Sequence, residues 1–142
     1  MPSYNLQTIR ANIKTLLQTV TEIAFVYDRR NPNIEGYPAI IFDIDRNDNE
    51  MLTNVENLRT ITFRIWIIQE VGVKGANDAN GFLDTTTQKV VVALEKIANL
   101  DLSGQVDWIM PVEGARQEVT SPEGSVIWQI LDLKVRVSSS VI

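Results

Sequence analysis

Two segments of this chain place apolar residues at every second position. One runs from about Leu58 to Glu70, and its apolar face is formed by Ile61, Phe63, Ile65 and Ile67. The other runs from Ser125 to Val137, where the residues that share one face are Leu131, Leu133, Val135 and Val137. Because successive side chains of a strand point to opposite faces of a sheet, this period of two predicts two long, half-buried antiparallel strands.

Two other segments have helical spacing. In the first, from Leu6 to Val20, the apolar positions three and four residues apart are Leu6, Ile9, Ile13, Leu16, Leu17 and Val20. In the second, from about Phe82 to Ala98, the stripe consists of Leu83, Thr87, Val90, Leu94 and Ile97. These spacings predict two amphipathic helices, one before and one after the first long strand.

Shorter strands are predicted at 23–27, 37–45, 106–112 and 115–120, with a polar turn at 46–49. Pro38 near the start of its strand indicates an edge, because proline cannot donate a ladder hydrogen bond. The glycines between Val71 and Gly81 predict a protruding, flexible loop at about 71–81. We therefore expect a single domain over 1–142 with an α+β fold. Its sheet is mixed or antiparallel, with about five to six strands, two helices packed mainly on one face, and the order α-βββ-α-βββ.

The composition limits the chemistry. The chain has 142 residues, no Cys, no His and a net charge of −5. Without these two residue types there is no thiol nucleophile, no histidine base and almost no zinc site. The acidic balance argues against a domain that coats nucleic acid. No stretch of 18 apolar residues is present, so we expect no membrane segment, and we expect no catalytic residues, no metal and no cofactor.

One short motif resembles a catalytic site. An apolar strand that ends in Asp43-Ile44-Asp45 is similar to the first motif of haloacid dehalogenase-type phosphatases, but Arg46-Asn47 replaces the expected Gly-Thr. The same residues begin like a calcium loop, but the positions that require Gly and Glu hold Asp48 and Asn54. A solvated acidic turn is the plainer interpretation, with opportunistic cation binding by Asp43, Asp45, Asp48 and Glu50 left open.

Other charged residues and the large apolar residues suggest contacts with partners. Arg29 and Arg30 lie in a predicted loop and are suited to a phosphate or an acidic partner, or are simply solvated. Strand faces that should contact water carry Trp66, Ile68, Trp108, Trp128 and Ile130. Either the helices cover both sheet faces in part, or these residues form an interface, where tryptophan is enriched.

The candidate interaction residues follow from these features. For a subunit interface they are Trp66, Ile68, Trp128 and Ile130. For a partner-contact loop they are Val73, Lys74, Asn77 and Asp78.

The order of the predicted helices and strands, and the residue patterns within them, resemble those of the small tail terminator, or tail-completion, proteins of long-tailed bacteriophages. The first helix is followed by a strand of the YPAIIF kind, from Tyr37 to Phe42. A long strand of the R-x-x-x-F-x-I-x-I kind follows from Arg59 to Ile67, then a helix of Val, Leu and Ala, and a closing WQILDLKVRV segment from Trp128 to Val137.

The resemblance implies a structural virion protein that is not an enzyme. Such a protein forms a homo-oligomeric ring, usually a hexamer, which caps the tail tube and joins it to the head-side connector. It implies contacts with its own copies, the tail tube protein and a neck protein, and passage of genomic DNA without specific binding. The protein would be located in the tail or neck of the virion after assembly in the host cytoplasm. Alternatives are a tail tube or other neck subunit, a small ligand-binding ferredoxin-like domain, or a phosphatase.

Overall fold

The computed structural model describes residues 5–30, 32–51, 56–72, 75–96, 101–102, 106–121 and 124–140. Two helices and five strands follow one another as α1 (Leu6–Gln18), β1 (Phe25–Tyr27), β2 (Ala39–Met51), β3 (Glu56–Glu70), α2 (Ala76–Glu95), β4 (Trp108–Ser121) and β5 (Gly124–Ser140). The expected α+β class, with two helices against a mixed sheet, is confirmed.

The five strands form one sheet in the order β1-β2-β3-β5-β4. Among the described strands, β1 and β2 run parallel, and the pairs β2–β3, β3–β5 and β4–β5 are antiparallel. The two segments with a period of two, now β3 and β5, are neighbours in continuous register from Glu56 opposite Ser140 to Glu70 opposite Val126. Their apolar faces therefore meet side by side at the centre of the sheet.

Both helices pack on one face of this sheet. The core cluster joins the apolar stripes of α1 and α2 to one face of the sheet, and its most completely buried members include Ile13, Leu83, Phe63, Ile65 and Leu133. Asn5 caps α1, because its side-chain oxygen accepts a hydrogen bond from the Thr8 N–H at 3.1 Å. A two-layer arrangement results, in which the second face of the sheet has no helix among the described residues.

The strand order differs from the expected one in the last third of the chain. The predicted strands 106–112 and 115–120 are one strand, β4, so the order is α-βββ-α-ββ. A register shift between Glu113 and Arg116 bulges the strand around Gly114 without ending it. Strand β5 itself is regular at Ile130, so the irregularity lies in its partner strand β4.

Strand β2 is longer than predicted. The expected turn at 46–49 is wrong, because β2 continues to Met51 and pairs with β3 as far as Asn57. The prediction of an edge at Pro38 is wrong as well, since β1 lies alongside this end and the Ala24 N–H donates to the Pro38 carbonyl at 2.9 Å. Beyond Ile41, however, β1 has ended and β2 is the outermost strand of the described sheet.

The glycine-rich segment is shorter than the predicted loop at 71–81. Helix α2 begins at Ala76, so Asn77 and Asp78 lie exposed in its first turn, while Val73 and Lys74 lie outside the described residues. Gly75 precedes the helix with φ +88° and ψ −176°, a conformation that glycine adopts most readily. The buried Ala79 extends the apolar stripe of Leu83 back by four residues, and Asp78 favours a helix N-terminus.

Candidate functional site

The face of the sheet opposite the helices, hereafter the open face, carries the large apolar residues singled out from the sequence. The register arranges them in rows across the strands. One row contains Ala39, Ile68 and Trp128, and the next contains Ile41, Trp66 and Ile130. Trp66, Trp128 and Ile130 are half-buried, whereas Ile68 is only 4% exposed. The structure therefore brings all four candidate interface residues together, with Ile68 as the floor of the group.

These residues surround a depression of about 250 Å³, hereafter the tryptophan concavity, which is lined by Arg30, Ile41, Trp66, Ile68 and Trp128. The Trp128 indole N–H donates to the Gln117 side-chain oxygen on β4 at 3.3 Å, which fixes the ring at one side. Two tryptophans and an arginine thus line one apolar depression. Tryptophan and arginine are enriched among the residues that contribute most of the binding free energy in protein interfaces.

Arg30 forms the polar rim of the tryptophan concavity. Its guanidinium lies 5.2 Å from the centre of the Trp66 ring and donates to the Ile44 carbonyl at 3.0 Å. It also lies within 3.7 Å of an Asp45 carboxylate oxygen, although 45% of its side chain is exposed. Stacking on Trp66 and these two contacts hold the arginine across the open face, with part of its surface available to a partner.

The open face becomes charged toward its other end. Arg64 donates a hydrogen bond to Asp132 at 3.1 Å and lies 3.6 Å from Asp45. These two carboxylates, Asp132 first, raise the pKa of Arg64 above the usual value for arginine. The outer strand adds exposed apolar residues to this face, at Met110 and Val112, 43% and 40% exposed. The open face thus combines an apolar half and a half of paired charges, and Met110 and Val112 border the charged half.

Asp43, the residue at the position of a phosphatase nucleophile, has the environment of a structural carboxylate. Burial acts to raise its pKa, but a 2.9 Å hydrogen bond from Arg10 and bonds from the N–H groups of Ile44 and Arg30 outweigh it, so the pKa is lowered. Arg10 also donates to the Asp28 carbonyl at 2.6 Å and is 9% exposed. Asp43 therefore joins α1, the 28–30 loop and β2, and its carboxylate oxygens already accept three hydrogen bonds.

The acidic residues singled out for cation binding are separated by arginines. Asp45 lies between Arg30 and Arg64, and Asp48 pairs with Arg46 at 2.8 Å. Glu50 is exposed near the end of the same strand. Within the described ranges, no three Asp, Glu, His or Cys side chains are grouped closely enough to hold a metal ion.

Sequence reasoning missed Ile41, and it named Arg30 without placing it beside the tryptophans. Ile41 is in the same apolar run as Phe42, and only the pairing of β2 with β3 shows that it faces Trp66. Arg30 was noted as a loop cation, but its position over Trp66 depends on how the loop folds back onto β2. The alternation of Ala39, Ile41 and Asp43 along β2 is the one sequence signal that indicates the side of Ile41.

Comparisons with known proteins add no relative. No protein-family model matches the sequence, and no curated protein matches it. In the part of the chain that the structure describes, neither helix has the length and apolar character needed to span a membrane.

Proposed function

We propose that this chain is a structural subunit of a bacteriophage tail, of the tail terminator type, which assembles into a homo-oligomeric ring at the head-proximal end of the tail tube. The observation that carries the proposal is the open face, where Trp66 and Trp128 lie side by side with Ile41 and Ile130 on a surface that the chain's own helices leave uncovered. The whole-chain resemblance described above supplies the biological setting.

The physical argument concerns the free energy of exposed apolar surface. Half-buried tryptophans lose contact with water when a partner covers them, at roughly 25 cal/mol for each Å² of apolar area. In a closed ring every copy offers the same two patches, so each apolar surface is covered once without leaving an open end. A self-association of this kind stabilises the ring and needs no catalytic group.

The charge supports passage of DNA. With 18 acidic and 13 basic residues, the chain carries a formal net charge of −5. Affinity for DNA comes largely from phosphates neutralised by Lys and Arg, and many of the arginines here are already paired with carboxylates. We infer that a ring of such subunits guides DNA through its hole without holding it, between the tail tube protein on one side and a neck protein on the other.

The fold weighs against the alternatives. A tail tube subunit would be expected to have a larger strand sandwich and one helix, whereas the described part of this chain forms one five-stranded sheet and two helices. A ferredoxin-like ligand-binding domain has the order β-α-β-β-α-β, which differs from α-βββ-α-ββ. For a phosphatase, the candidate nucleophile Asp43 is bound by Arg10 and by two backbone N–H groups.

The test is the mass and shape of the purified protein. Gel filtration with light scattering should give one species of several copies over a wide concentration range, and negative-stain images should show rings with a central hole. A fluorescent duplex DNA should bind weakly and without sequence preference. A protein that stays monomeric at high concentration, or that hydrolyses a phosphate ester, would contradict the proposed function.

A further inference from the structure

Strand β4 contains one extra residue relative to its partner strand β5. The pairs on either side of it, Glu113 with Leu131 and Arg116 with Gln129, are three residues apart on β4 and two residues apart on β5. This excess is a β-bulge, and it moves every later side chain of β4 to the other face of the sheet. The bulge therefore decides which residues in the second half of β4 lie on the open face.

Beyond the bulge, uncharged side chains of β4 lie on the open face. Gln117 is opposite Trp128, and Val119 follows on the same face. In a strand without the bulge, Arg116 would be opposite Trp128 instead. Glu118 would likewise take the place of Val119. Two charged side chains would then border the apolar half of the open face, and the Trp128 indole would lose its contact with Gln117.

The bulge is held by the side chain of Gln129. This residue is opposite the core residue Ile67, on the face that packs against the helices, and it is only 6% exposed. Its amide nitrogen donates to the Gly114 carbonyl at 2.9 Å and lies 3.4 Å from the Ala115 carbonyl, both within the bulge. It also donates to the Ile130 carbonyl at 3.0 Å. A bulge interrupts the strand ladder, and this amide supplies donors at the point of interruption.

A second set of contacts fixes the orientation of the Gln129 amide. The Arg116 Nε donates to the Gln129 side-chain oxygen at 2.9 Å. Because a guanidinium only donates, the amide oxygen must face Arg116 and the amide N–H groups must face the bulge. Arg116 is held on α2 by Asp84 at 2.8 Å and by the backbone and side-chain oxygens of Asn80, each at 3.3 Å. A continuous chain of contacts thus runs from α2 to the bulge.

We propose that Gln129 is a positioning residue of the open face, which fixes the register of β4 through the bulge. Its buried amide binds the carbonyls of the bulge, and this keeps Arg116 turned toward α2 and Gln117 beside Trp128. The inference rests on the proposed function for the role of the open face, and it names the residue that keeps two charges away from that surface. The register is a property of a single copy, so it can be measured whether or not a ring forms.

Introduced cysteines measure the register, because the chain has no cysteine of its own. In Val119→Cys/Val126→Cys the two cysteines are directly opposite, at a separation that a disulfide spans. In Glu118→Cys/Val126→Cys they lie on opposite faces, and a disulfide requires the register without the bulge. Mild oxidation at low protein concentration, followed by mass spectrometry, gives the ratio of the first intramolecular disulfide to the second. With Gln129 present, the first disulfide should predominate.

Gln129→Met and Gln129→Glu are the test variants in both cysteine pairs. Methionine is also unbranched and has no donor, whereas an ionised glutamate keeps an acceptor for Arg116 but has no donor for the bulge. Each variant should lower the disulfide ratio by about tenfold or more, the effect expected when buried carbonyls lose their donor. Gln88→Met is the matched control, because Gln88 is an exposed glutamine on α2. An unchanged ratio in both Gln129 variants would overturn the inference.

Deletion of Ala115 separates the bulge from general packing. Without this residue Gly114 is opposite Ile130 and β4 is regular, so Gln129 has no bulge to hold. In the shortened protein, Gln129→Met should leave the 119–126 disulfide unchanged. If Gln129→Met prevents folding only when Ala115 is present, the inference is supported. If it prevents folding or lowers the disulfide equally in both proteins, Gln129 acts through packing and the inference is wrong.

The results separate this inference from the proposed function. A shifted register in a protein that stays monomeric supports the inference and contradicts the proposed function. An unchanged disulfide ratio, together with rings of the unmodified protein, contradicts the inference and leaves the proposed function standing. Where both are correct, Gln129→Met should form fewer rings by light scattering, because Arg116 then brings a charge into the apolar contact.

Discussion

Replacing Asp43 with Asn separates a structural carboxylate from a catalytic one. The substitution keeps the shape of the side chain but removes its charge, so Arg10 loses its ion-pair partner at 2.9 Å. Only 10% of the Arg10 side chain and 22% of the Asp43 side chain are exposed, so water replaces the lost partner poorly. We expect the free energy of unfolding to fall by about 1–3 kcal/mol at pH 7, the usual cost of depriving a largely buried charged group of its partner.

The pH dependence follows from the lowered pKa of Asp43. A carboxyl that titrates lower in the folded state than in the unfolded state stabilises the fold above the unfolded value, about pH 4. This contribution is lost as the pH falls through the folded-state pKa. Asp43→Asn lacks it at every pH, so the difference in stability between the variant and the unmodified protein should shrink from pH 7 to pH 3.

Urea denaturation followed by circular dichroism measures this difference, and the melting temperature should fall by about 3–10 °C at neutral pH. Asp48→Asn is the matched control, because Asp48 and Arg46 are 56% and 71% exposed and such pairs contribute little. Equal urea midpoints for Asp43→Asn and the unmodified protein at pH 7 would refute the structural role. A phosphatase activity that Asp43→Asn abolishes would refute the non-enzymatic function.

The other predictions concern the open face and two backbone positions. Trp128→Glu should leave a folded spectrum but reduce the hydrodynamic size, because a charge in a covered apolar contact is costly; unfolding instead would place Trp128 in the core. Gly75→Ala should lower the free energy of unfolding by about 1–3 kcal/mol, because Gly75 has a φ of +88°. Gly72→Ala should change the free energy of unfolding little, because a methyl group added at Gly72 meets no other atom within 4 Å. Equal denaturation midpoints for the two variants would contradict this prediction. Pro111→Val should increase aggregation by light scattering, because it adds an N–H group to an outer strand, and an unchanged aggregation rate would count against that role.

The elements predicted correctly are those whose apolar and polar side chains recur with the period of a strand or a helix. The period of two in β3 and β5 and the helical spacing in α1 reflect one buried and one exposed face, and the structure follows both. The second half of β2 could not be predicted in this way. The segment from Arg46 to Glu50 has polar side chains on both faces. It forms a strand because its backbone pairs with Leu58 to Thr62 of β3. Backbone pairing has no local signature when neither face is buried.

The candidate site was predictable only in part. Trp66 and Trp128 could be identified from the sequence because they are large aromatic residues on strand faces that were expected to contact water. The tryptophan concavity also requires β2 beside β3 and a loop that places Arg30 over Trp66, and these depend on strand order and on hydrogen bonds between distant residues. The start of α2 was missed because Asn80 and Gly81 are poor helix formers, yet tertiary packing of Ala79 outweighs this weak preference.

The sheet edges bear on how copies of this chain can associate. An outer strand with free N–H and C=O groups can pair with a strand of another copy, but both outer strands here are irregular. β4 contains Pro111 and the bulge between Glu113 and Arg116, and β2 has a register shift between Ile44 and Arg46 where it becomes the outer strand. A straight ladder between copies is therefore disfavoured at both edges. The proposed self-association would then rely on side chains, and the tryptophan concavity, with two tryptophans and an arginine around one depression, is a surface suited to it.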